Sequence, residues 1–311
     1  MNFTAKDVQA LREKTGAGMM DCKKALNETD GDMDAAVEFL RKNGQAKAEK
    51  KASRIAAEGL CMVVTKDDQT AAVVEVNSET DFVAKNATFQ EFVKAVATQA
   101  VNSDAADMDA FMAEKWNEDA SKTVSEALVE KVAVIGENLK IRRFEKVVAE
   151  HGCVVPYVHG GGRIGVIVDA DTDVVNDTVK EAMHNIAMQI AALNTKYVSR
   201  DEASADYIAH EKEILLAQIM NDPKESQKPE KVINGMIEGR ISKELKEVCL
   251  VDQVYVKAED GKQTVAKYLE EVSKAVGGTV KVKRFVRFET GEGLEKKQED
   301  FAAEVAAQMN A

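Results

Sequence analysis

Three groups of residues in this sequence could carry chemistry, and the first is a glycine-rich run. Residues 160–165, GGGRIG, fit the GxGxxG spacing with which dinucleotide-binding proteins bring a helix N-terminus to a pyrophosphate. That chemistry needs a helix after the glycines, whereas residues 166–171, VIVDAD, have the composition of a strand. We therefore predict a glycine-rich hairpin turn, with a nicotinamide- or flavin-dependent enzyme as the weaker alternative.

The second group is Thr80-Asp81-Phe82, where a polar run ends in an aromatic residue as the chain leaves a predicted strand. Loops at strand ends often present functional side chains, so an outward Phe82 could contact a ligand or a partner. Residue types alone favour the plainer alternative, in which Phe82 turns inward beneath the following helix.

The third group comprises the imidazole and thiol side chains. The histidines are His151, His159, His184 and His210, and the cysteines are Cys22, Cys61, Cys153 and Cys249. The histidines are too dispersed for a metal cluster and the cysteines include no CxxC pair, so we predict no metal site and reduced core thiols in a cytosolic protein. His159, beside the glycines, is a contact residue or a turn histidine, and residue types favour the latter. The sequence also lacks a phosphate loop, an HExxH helix and a GxSxG elbow, so no standard catalytic chemistry is indicated, although these absences leave an enzyme open.

Composition limits the class of protein. The chain has 311 residues, which suggests about two domains, and its 45% apolar content with 5% aromatics favours helix-rich packing. A net charge of −12 would repel a phosphate backbone, so we predict no direct nucleic-acid binding. The arginines at 142–143, 284 and 287 lie in predicted strands, where we expect them to face solvent or pair with acids. No apolar run reaches the ~20 residues of a membrane span and no signal peptide is evident, which favours a cytoplasmic protein without membrane contact.

The first 45 residues predict a small bundle of three helices. Their boundaries are marked, in order, by Thr4, by residues 15–18 (TGAG), by residues 30–32 (DGD) and by Asn43-Gly44, which is expected to end the third helix. Residues 46–58 are interpreted as a charged helix or linker. Met19 and Met20 are adjacent in the second helix, so at least one is expected to be exposed, where a flexible thioether suits a protein contact.

Beyond residue 59 the pattern predicts two α+β units with the same order of elements. The first has strands at 61–64 and 71–76, helices at about 86–103, 106–113 and 120–133, and a closing strand at 140–145. The second has strands at 154–159 and 164–169, a helix at about 175–193 and a closing strand at 282–289. The closing strands, IRRFE and KRFVRFE, both end in Glu. The second unit is about 50 residues longer, which fits an insertion at roughly 198–245 whose apolar spacing predicts an antiparallel helical hairpin. The predicted fold is therefore α+β, a duplicated core with a helical arm, followed by an amphipathic helix in the last residues, FAAEVAAQMNA.

Several longer motifs resemble the bacterial elongation factor Ts family. They are LREKTGAGMMDCKKAL (11–26), EVNSETDFVAKN (75–86), IGENLKIRR (135–143), HGGGRIGV (159–166), RFETGEGLEK (287–296) and DFAAEVAAQ (300–308). The resemblance extends over essentially the whole chain. It implies a ubiquitin-associated-like three-helix domain at 1–52, a core of subdomain N at 53–146 and subdomain C at 147–289, and a C-terminal helical module at 290–311. The insertion would be the family's helical-hairpin arm, a coiled coil.

The resemblance also implies an activity, guanine-nucleotide exchange on the GTPase elongation factor Tu during translation elongation. The partner would be bound in its GDP-bound and nucleotide-free states. The residues that would dislocate the partner's Mg²⁺ are Thr80, Asp81, Phe82 and Val83. Phe82 would wedge into an apolar pocket, while Asp81 would perturb the network around the ion. The implied partner contacts are Arg12, Met19, Met20 and Lys23 in the N-terminal helices, Ile135, Gly136 and His159 in the core, and the C-terminal helix.

Three other functions rank below exchange. A dinucleotide enzyme would use the glycine run, and a generic docking scaffold would use Met19 and Met20 without acting on a GTPase. A nucleic-acid binder would be held on RNA with a steep dependence on salt. Exchange is preferred because the resemblance extends over essentially the whole chain. An exchange factor makes and breaks no covalent bond, which explains why the sequence has no catalytic motif, so the resemblance implies no enzyme and no bound cofactor.

Overall fold

The computed structural model describes residues 2–193 and 195–295 and confirms the predicted mixture of helices and strands. The first half contains α1 (Ala5–Thr15), α2 (Met19–Glu28), α3 (Met33–Lys51), β1 (Glu58–Thr65), β2 (Thr70–Ser78), α4 (Asp81–Ala84), α5 (Ala87–Asn102), α6 (Met108–Ala113), β3 (Lys115–Trp116), β4 (Asp119–Thr123), α7 (Val124–Ile135) and β5 (Lys140–Val148). The second half contains β6 (Cys153–His159), β7 (Ile164–Thr172), α8 (Asp177–Ala192), α9 (Ala205–Asn221), α10 (Glu230–Val248), α11 (Val265–Val276) and β8 (Val280–Glu289). The amphipathic helix predicted for the last residues lies outside the described residues.

The first three helices pack around a small apolar core of their own. Its fully buried members are Leu11, Cys22, Ala25, Leu26 and Ala36. The predicted boundaries of α1 and α2 hold: the Thr4 amide donates to the Asp7 carboxylate at 2.6 Å, and Gly16 ends α1 with a φ of 68°. Asp32 caps α3 by accepting hydrogen bonds from the amides of residues 34 and 35.

The prediction that Asn43-Gly44 ends the third helix is wrong, because α3 continues to Lys51. Gly44 is buried where α3 crosses α7, and a Cβ at this position would lie 3.5 Å from the Cβ of Ala133. The missing side chain lets the two helices approach closely. Arg41 strengthens the contact by pairing with Glu126 of α7 at 3.3 Å. Packing on α7 thus offsets the low helix propensity of glycine.

Two three-stranded antiparallel sheets follow, with strand orders β1-β2-β5 and β6-β7-β8. Each central strand carries a buried acid opposite an arginine, immediately before a register shift: Glu75 faces Arg143, and Asp169 faces Arg284. This register makes Arg143-Phe144 equivalent to Arg284-Phe285. The final glutamates of the two closing-strand motifs, Glu145 and Glu289, are therefore not equivalent.

The two sheets share a third core between them. It contains Cys61, Val73, Val147, Val154, Ile167, Val286 and Phe288, contributed by both halves of the chain. The outer face of the first sheet is covered by α5 and the outer face of the second by α8, each with a core of its own. Backbone hydrogen bonds also cross between the halves, as from the Cys61 amide to the Gly162 carbonyl at 2.6 Å. Each sheet is thus buried on both faces.

The insertion forms two helices, α9 and α10, that pack against each other. Ile219 of α9 is fully buried against Ile233, Ile237 and Ile241 of α10, which lie about one helical turn apart. The second helix ends at Val248, three residues beyond the predicted limit. Helix α11 and the short β3–β4 hairpin were not predicted from the sequence.

Cysteine chemistry agrees with the prediction of reduced thiols. Cys22, Cys61, Cys153 and Cys249 are all free and buried. Burial raises the pKa of the Cys61 thiol to about 12, so the thiol stays protonated at neutral pH.

Among the described helices, none combines the length and the apolar content that a membrane span requires.

Candidate functional site

The Thr80-Asp81-Phe82 run forms a tight turn at the end of β2. Thr80 caps the four-residue helix α4, and its hydroxyl oxygen accepts a hydrogen bond from the Val83 amide at 3.4 Å. Val83 packs against the core of the first half and Ala84 is buried, whereas Phe82 is 79% exposed. The prediction that Phe82 turns inward is therefore wrong. Because Val83 and Ala84 occupy the inner face of such a short helix, Phe82 points into solvent.

Asp81 lies beside Phe82 in an exposed ion pair. Its carboxylate accepts a hydrogen bond from Lys85 Nζ at 2.6 Å, and this contact lowers the pKa of Asp81 below its usual value. Lys85 Nζ also lies 6.0 Å from the centroid of the Phe82 ring. Both partners of the pair are more than half exposed, so an incoming group can replace either at little cost.

The turn is held from behind by Glu137, which follows the end of α7. One oxygen of this carboxylate accepts hydrogen bonds from the amides of Glu79 and Thr80, at 3.0 and 3.1 Å. The other accepts from the Thr80 hydroxyl at 2.7 Å. In return, the Glu79 carboxylate accepts from the Asn138 amide at 2.6 Å. The loops at 79–80 and 136–138 are thus locked to each other.

The last turn of the N-terminal bundle joins the same cluster. Lys51 donates a hydrogen bond to the Gly136 carbonyl, and the Asn138 side chain donates to the Arg54 carbonyl at 2.8 Å. Arg54 pairs with Glu79 at 3.4 Å. We refer to residues 51–54, 79–80 and 136–138 as the three-loop joint.

Two predicted contact residues, Ile135 and Gly136, lie at this joint. Ile135 is half-buried against the core of the first half, and Gly136 is exposed with a φ of 86°. That left-handed conformation strains any residue with a side chain, and it turns the chain so that Glu137 faces the Thr80 loop. The structure therefore brings Ile135 and Gly136 next to the turn that carries Phe82.

The predicted residues of the N-terminal helices are all exposed, namely Arg12, Met19, Met20 and Lys23. The expectation that at least one of the two methionines is exposed is confirmed, since Met19 is 44% and Met20 74% exposed. Gly16, in the turn between α1 and α2, sits against Val134, where a Cβ would lie 3.6 Å from Cγ2 of that residue. The turn that precedes Met19 therefore abuts the end of α7, one residue from Ile135.

His159 stands apart from this group, at the end of β6 in the second sheet. It is exposed, and its Nδ1 lies 2.8 Å from the Tyr157 hydroxyl, which fixes the orientation of the ring. The following glycines form a hairpin turn into β7, as predicted, so the helix that a dinucleotide site requires is not there. The turn packs on β1 rather than on the three-loop joint.

The residues that hold the site together were not predicted from the sequence. Glu137 lies inside the IGENLKIRR motif, but its carboxylate carries no periodic signal that would distinguish it from a surface acid. Glu79, Lys51 and Arg54 are likewise identified only by their contacts. In the described ranges 2–193 and 195–295, no group of three His, Cys, Asp or Glu residues is arranged to hold a metal ion.

Comparison with known proteins identifies the family. The family model described as elongation factor TS matches residues 79–292, which include Phe82, Glu137 and His159. The chain is 51% identical over 308 residues to an elongation factor Ts of Clostridium novyi and 51% identical over 309 residues to one of Clostridioides difficile, with 99% of each chain covered. It is 49% identical to an elongation factor Ts of Clostridium perfringens over 98% of both chains. The chain therefore belongs to the elongation factor Ts family.

Proposed function

We propose that this chain is a guanine-nucleotide exchange factor for elongation factor Tu in the elongation step of translation. It would promote GDP release by displacing the partner's Mg²⁺ and by stabilising the nucleotide-free state. The observation that carries the proposal is the exposed Phe82 ring on a turn whose backbone is fixed by Glu137. A solvent-facing aromatic on a rigid support is suited to insertion into another protein.

Nucleotide exchange requires more differential binding free energy than one contact can supply. Because coupling is reciprocal, this chain weakens GDP binding by the same factor by which GDP weakens binding of this chain. A nearly complete switch requires about 5.5 kcal/mol of differential binding. Burying one phenylalanine contributes roughly 1.5–3 kcal/mol. Displacement of Mg²⁺, which neutralises the phosphates, and contacts elsewhere on the molecule would supply the remainder.

Each residue of the Thr80–Val83 turn would have a separate role. Phe82 would enter an apolar pocket of the partner, and Asp81 would exchange Lys85 for groups around the Mg²⁺ ion. The exposure of the Asp81–Lys85 ion pair favours this role, because solvent-exposed Lys85 can be replaced at little cost. Thr80 and Val83 would act by fixing the turn.

The remaining contacts would come from two further surfaces. Arg12, Met19, Met20 and Lys23 would dock the N-terminal helices beside Ile135 and Gly136. His159 would form a separate contact from the second sheet, with its ring oriented by Tyr157. The separation of these surfaces supports an extended partner interface rather than a single pocket.

The family architecture fits the described elements. We propose a ubiquitin-associated-like domain at 1–52, core subdomains at 53–146 and 147–289 that arose by duplication, an inserted helical-hairpin arm with coiled-coil packing, and a C-terminal module at 290–311. Matched glycines support the duplication: Gly59 and Gly152 both have positive φ, and a Cβ at either would collide with a carbonyl of the central strand, that of Val76 or Ala170.

The proposed activity calls for no covalent catalysis and no cofactor. The net charge of −12 argues against direct nucleic-acid contact, because phosphates would be repelled. We propose that the protein acts in the cytoplasm, where translation takes place, and without membrane contact.

The test is release of fluorescent GDP from elongation factor Tu of the same organism, chased with excess unlabelled GDP. Wild-type protein is expected to accelerate release strongly. Phe82→Ala is expected to slow the stimulated release by at least tenfold while retaining measurable affinity, because the other contact surfaces are intact.

Val148→Ala provides the matched control, since Val148 is also an exposed apolar side chain (51%) but lies outside the proposed contact set. It should behave as wild type. Failure of the wild-type protein to accelerate release would overturn the proposal and would favour a docking scaffold. Equal rates for Phe82→Ala and wild type would remove Phe82 from the mechanism.

A further inference from the structure

We propose that Glu137 is the positioning residue of the exchange element: it holds the Thr80–Val83 turn in the shape that presents Phe82. This inference rests on the proposed exchange function and assigns a role to a residue that is not itself among the predicted contact residues. Three hydrogen bonds from the 79–80 loop converge on the Glu137 carboxylate.

Both oxygens of Glu137 are directed at the turn. Oε2 accepts from the backbone amides of Glu79 and Thr80, and Oε1 accepts from the Thr80 hydroxyl. Among the described residues, no lysine or arginine lies within ion-pair distance of this carboxylate. Its charge is therefore balanced by donors of the turn, and hydrogen bonds to a charged acceptor are stronger than neutral ones.

The direction of one proton explains how Glu137 acts on Phe82. Because the Thr80 hydroxyl donates its only proton to Glu137, its oxygen can offer only a lone pair to the Val83 amide, which is the contact observed. That contact starts the helical turn at Asp81 and leaves Phe82 outside. Without Glu137, the hydroxyl could donate to its own backbone instead and release the cap.

Glu137 also connects this turn with the N-terminal bundle. The preceding carbonyl, that of Gly136, accepts from Lys51 at the end of α3. The adjacent residue Asn138 binds Arg54 and Glu79. A single short segment after α7 therefore fixes both the bundle that would dock on the partner and the turn that would act on the nucleotide site.

The experiment measures stimulated GDP release at increasing protein concentration for wild type, Glu137→Ala, Phe82→Ala and the double variant. For Glu137→Ala we expect the maximal release rate to fall about tenfold, the equivalent of one charge-assisted hydrogen bond, with the half-saturating concentration nearly unchanged. The double variant should be no slower than Phe82→Ala alone, because both substitutions remove the same action. Glu137→Gln, which keeps the side-chain volume and one carbonyl oxygen, should fall between wild type and Glu137→Ala.

A matched control comes from the other end of α7. The Glu126 carboxylate accepts from the Thr123 amide at 2.8 Å and caps the same helix without touching the turn. It also pairs with Arg41 of α3, but Arg41 keeps Glu130 of α7 at 3.9 Å when Glu126 is removed. Glu126→Ala should weaken the helix but leave the maximal release rate at the wild-type value. A fall in rate for Glu126→Ala equal to that for Glu137→Ala would reduce Glu137 to a general stabiliser of α7 and overturn the proposal.

A second readout needs no partner. Amide hydrogen exchange of the segment 79–84 in the free protein should become faster in Glu137→Ala and stay as in wild type in Glu126→Ala. Unchanged exchange in this segment, or additive losses in the double variant, would contradict the positioning role. If wild-type protein gives no stimulation, the proposed function fails whatever hydrogen exchange shows, so the two failures are distinguishable.

Discussion

At the scale of single residues, two equivalent carboxylates have opposite electrostatic environments. Burial would raise the pKa of Glu75, but hydrogen bonds from the Gly291 amide and Asn77, together with the Arg143 guanidinium, outweigh it and hold the pKa below its usual value. Asp169 is shorter by one methylene and has only Arg284 Nε at 3.5 Å, so burial raises its pKa. Among residues 2–193 and 195–295, one of its oxygens has no hydrogen-bond partner. The longer acid therefore clamps the halves together, whereas the shorter one is poorly paired.

This contrast predicts opposite effects of neutralising the two acids. Glu75→Gln should lower the free energy of unfolding at neutral pH by about 3–5 kcal/mol, because it leaves Arg142 and Arg143 without their buried partner. Asp169→Asn should change it by less than about 1 kcal/mol or stabilise the protein, since Arg284 keeps Glu145. Urea unfolding measures both, and equal losses for the two variants would contradict the assignment.

The lowered pKa of Glu75 determines how the stability of the protein changes with pH. Because the pKa of Glu75 is lower in the folded than in the unfolded chain, its contribution is complete above its ordinary pKa of 4.5 and is lost as the pH falls through its folded value. Stability of wild type should therefore fall more steeply with acid than that of Glu75→Gln. Parallel curves below pH 4.5 would show that Glu75 makes no such contribution.

At the scale of elements, the contact between α3 and α7 joins the N-terminal bundle to the core, together with the three-loop joint. Gly44 lies in this contact with an ordinary helical conformation, and a methyl group there would meet Ala133 and Val129 at 3.5 and 4.0 Å, which are van der Waals distances. The position therefore accommodates a methyl group, and neither the absence of a Cβ nor the backbone freedom of glycine is required there.

We predict that Gly44→Ala stabilises the protein by about 0.5–1 kcal/mol through helix propensity, without separating the two helices. Gly44→Leu, by contrast, should push the bundle from α7 and lower stability, because the side chains of Ala133 and Val129 already lie within 4.0 Å of its Cβ position. Thermal unfolding of the two variants compares these outcomes. Loss of stability in Gly44→Ala would mean that the helices are closer than the structure places them.

Gly44 also illustrates how far sequence reasoning extends. Helix caps such as Thr4 and Asp32, the two hairpins and the isoleucine stripe of α10 follow from local patterns, and all were predicted. The continuation of α3 depends on a contact 85 or more residues away, as the Arg41–Glu126 pair does, and no local pattern reports it. Residues 119–123, DASKT, lack the alternation of a strand, so β4 was missed. Helix α11 was not predicted, although the spacing of Val265, Leu269 and Val272 is typical of one buried helical face.

The candidate site follows the same division. Its exposed contact residues were identified from motifs, because their types and order match a family. The outward direction of Phe82 and the role of Glu137 depend on how α4 and α7 meet in space, which residue types do not encode.

At the scale of the whole molecule, the two halves are built as one folding unit. The core between the sheets contains residues from both halves. The Glu75 carboxylate in the first half accepts a hydrogen bond from the Gly291 amide in the second half at 2.8 Å. Trp116, the only tryptophan, lies buried in the first half, while Ile167 is fully buried between the sheets in the second. The fluorescence of Trp116 in the first half can therefore report on a substitution made in the second half.

Ile167→Ala should lower the stability by about 2–5 kcal/mol, and Trp116 fluorescence should report the whole loss in urea unfolding. Met183→Ala, in the outer core of the second half, provides a second test, because the same coupling should transmit its effect to Trp116. A Trp116 transition that stays at the wild-type midpoint in both variants would show that the halves unfold independently.

The central claim, exchange by differential binding, is tested most directly by reciprocity. The measurement is the affinity of this chain for elongation factor Tu, first nucleotide-free and then saturated with GDP and Mg²⁺, together with the affinity of GDP for the GTPase with and without this chain. We predict that GDP weakens binding of this chain by the same large factor by which this chain weakens binding of GDP, and that Phe82→Ala reduces both factors equally. An affinity that is the same in the nucleotide-free and GDP-bound states would contradict the account.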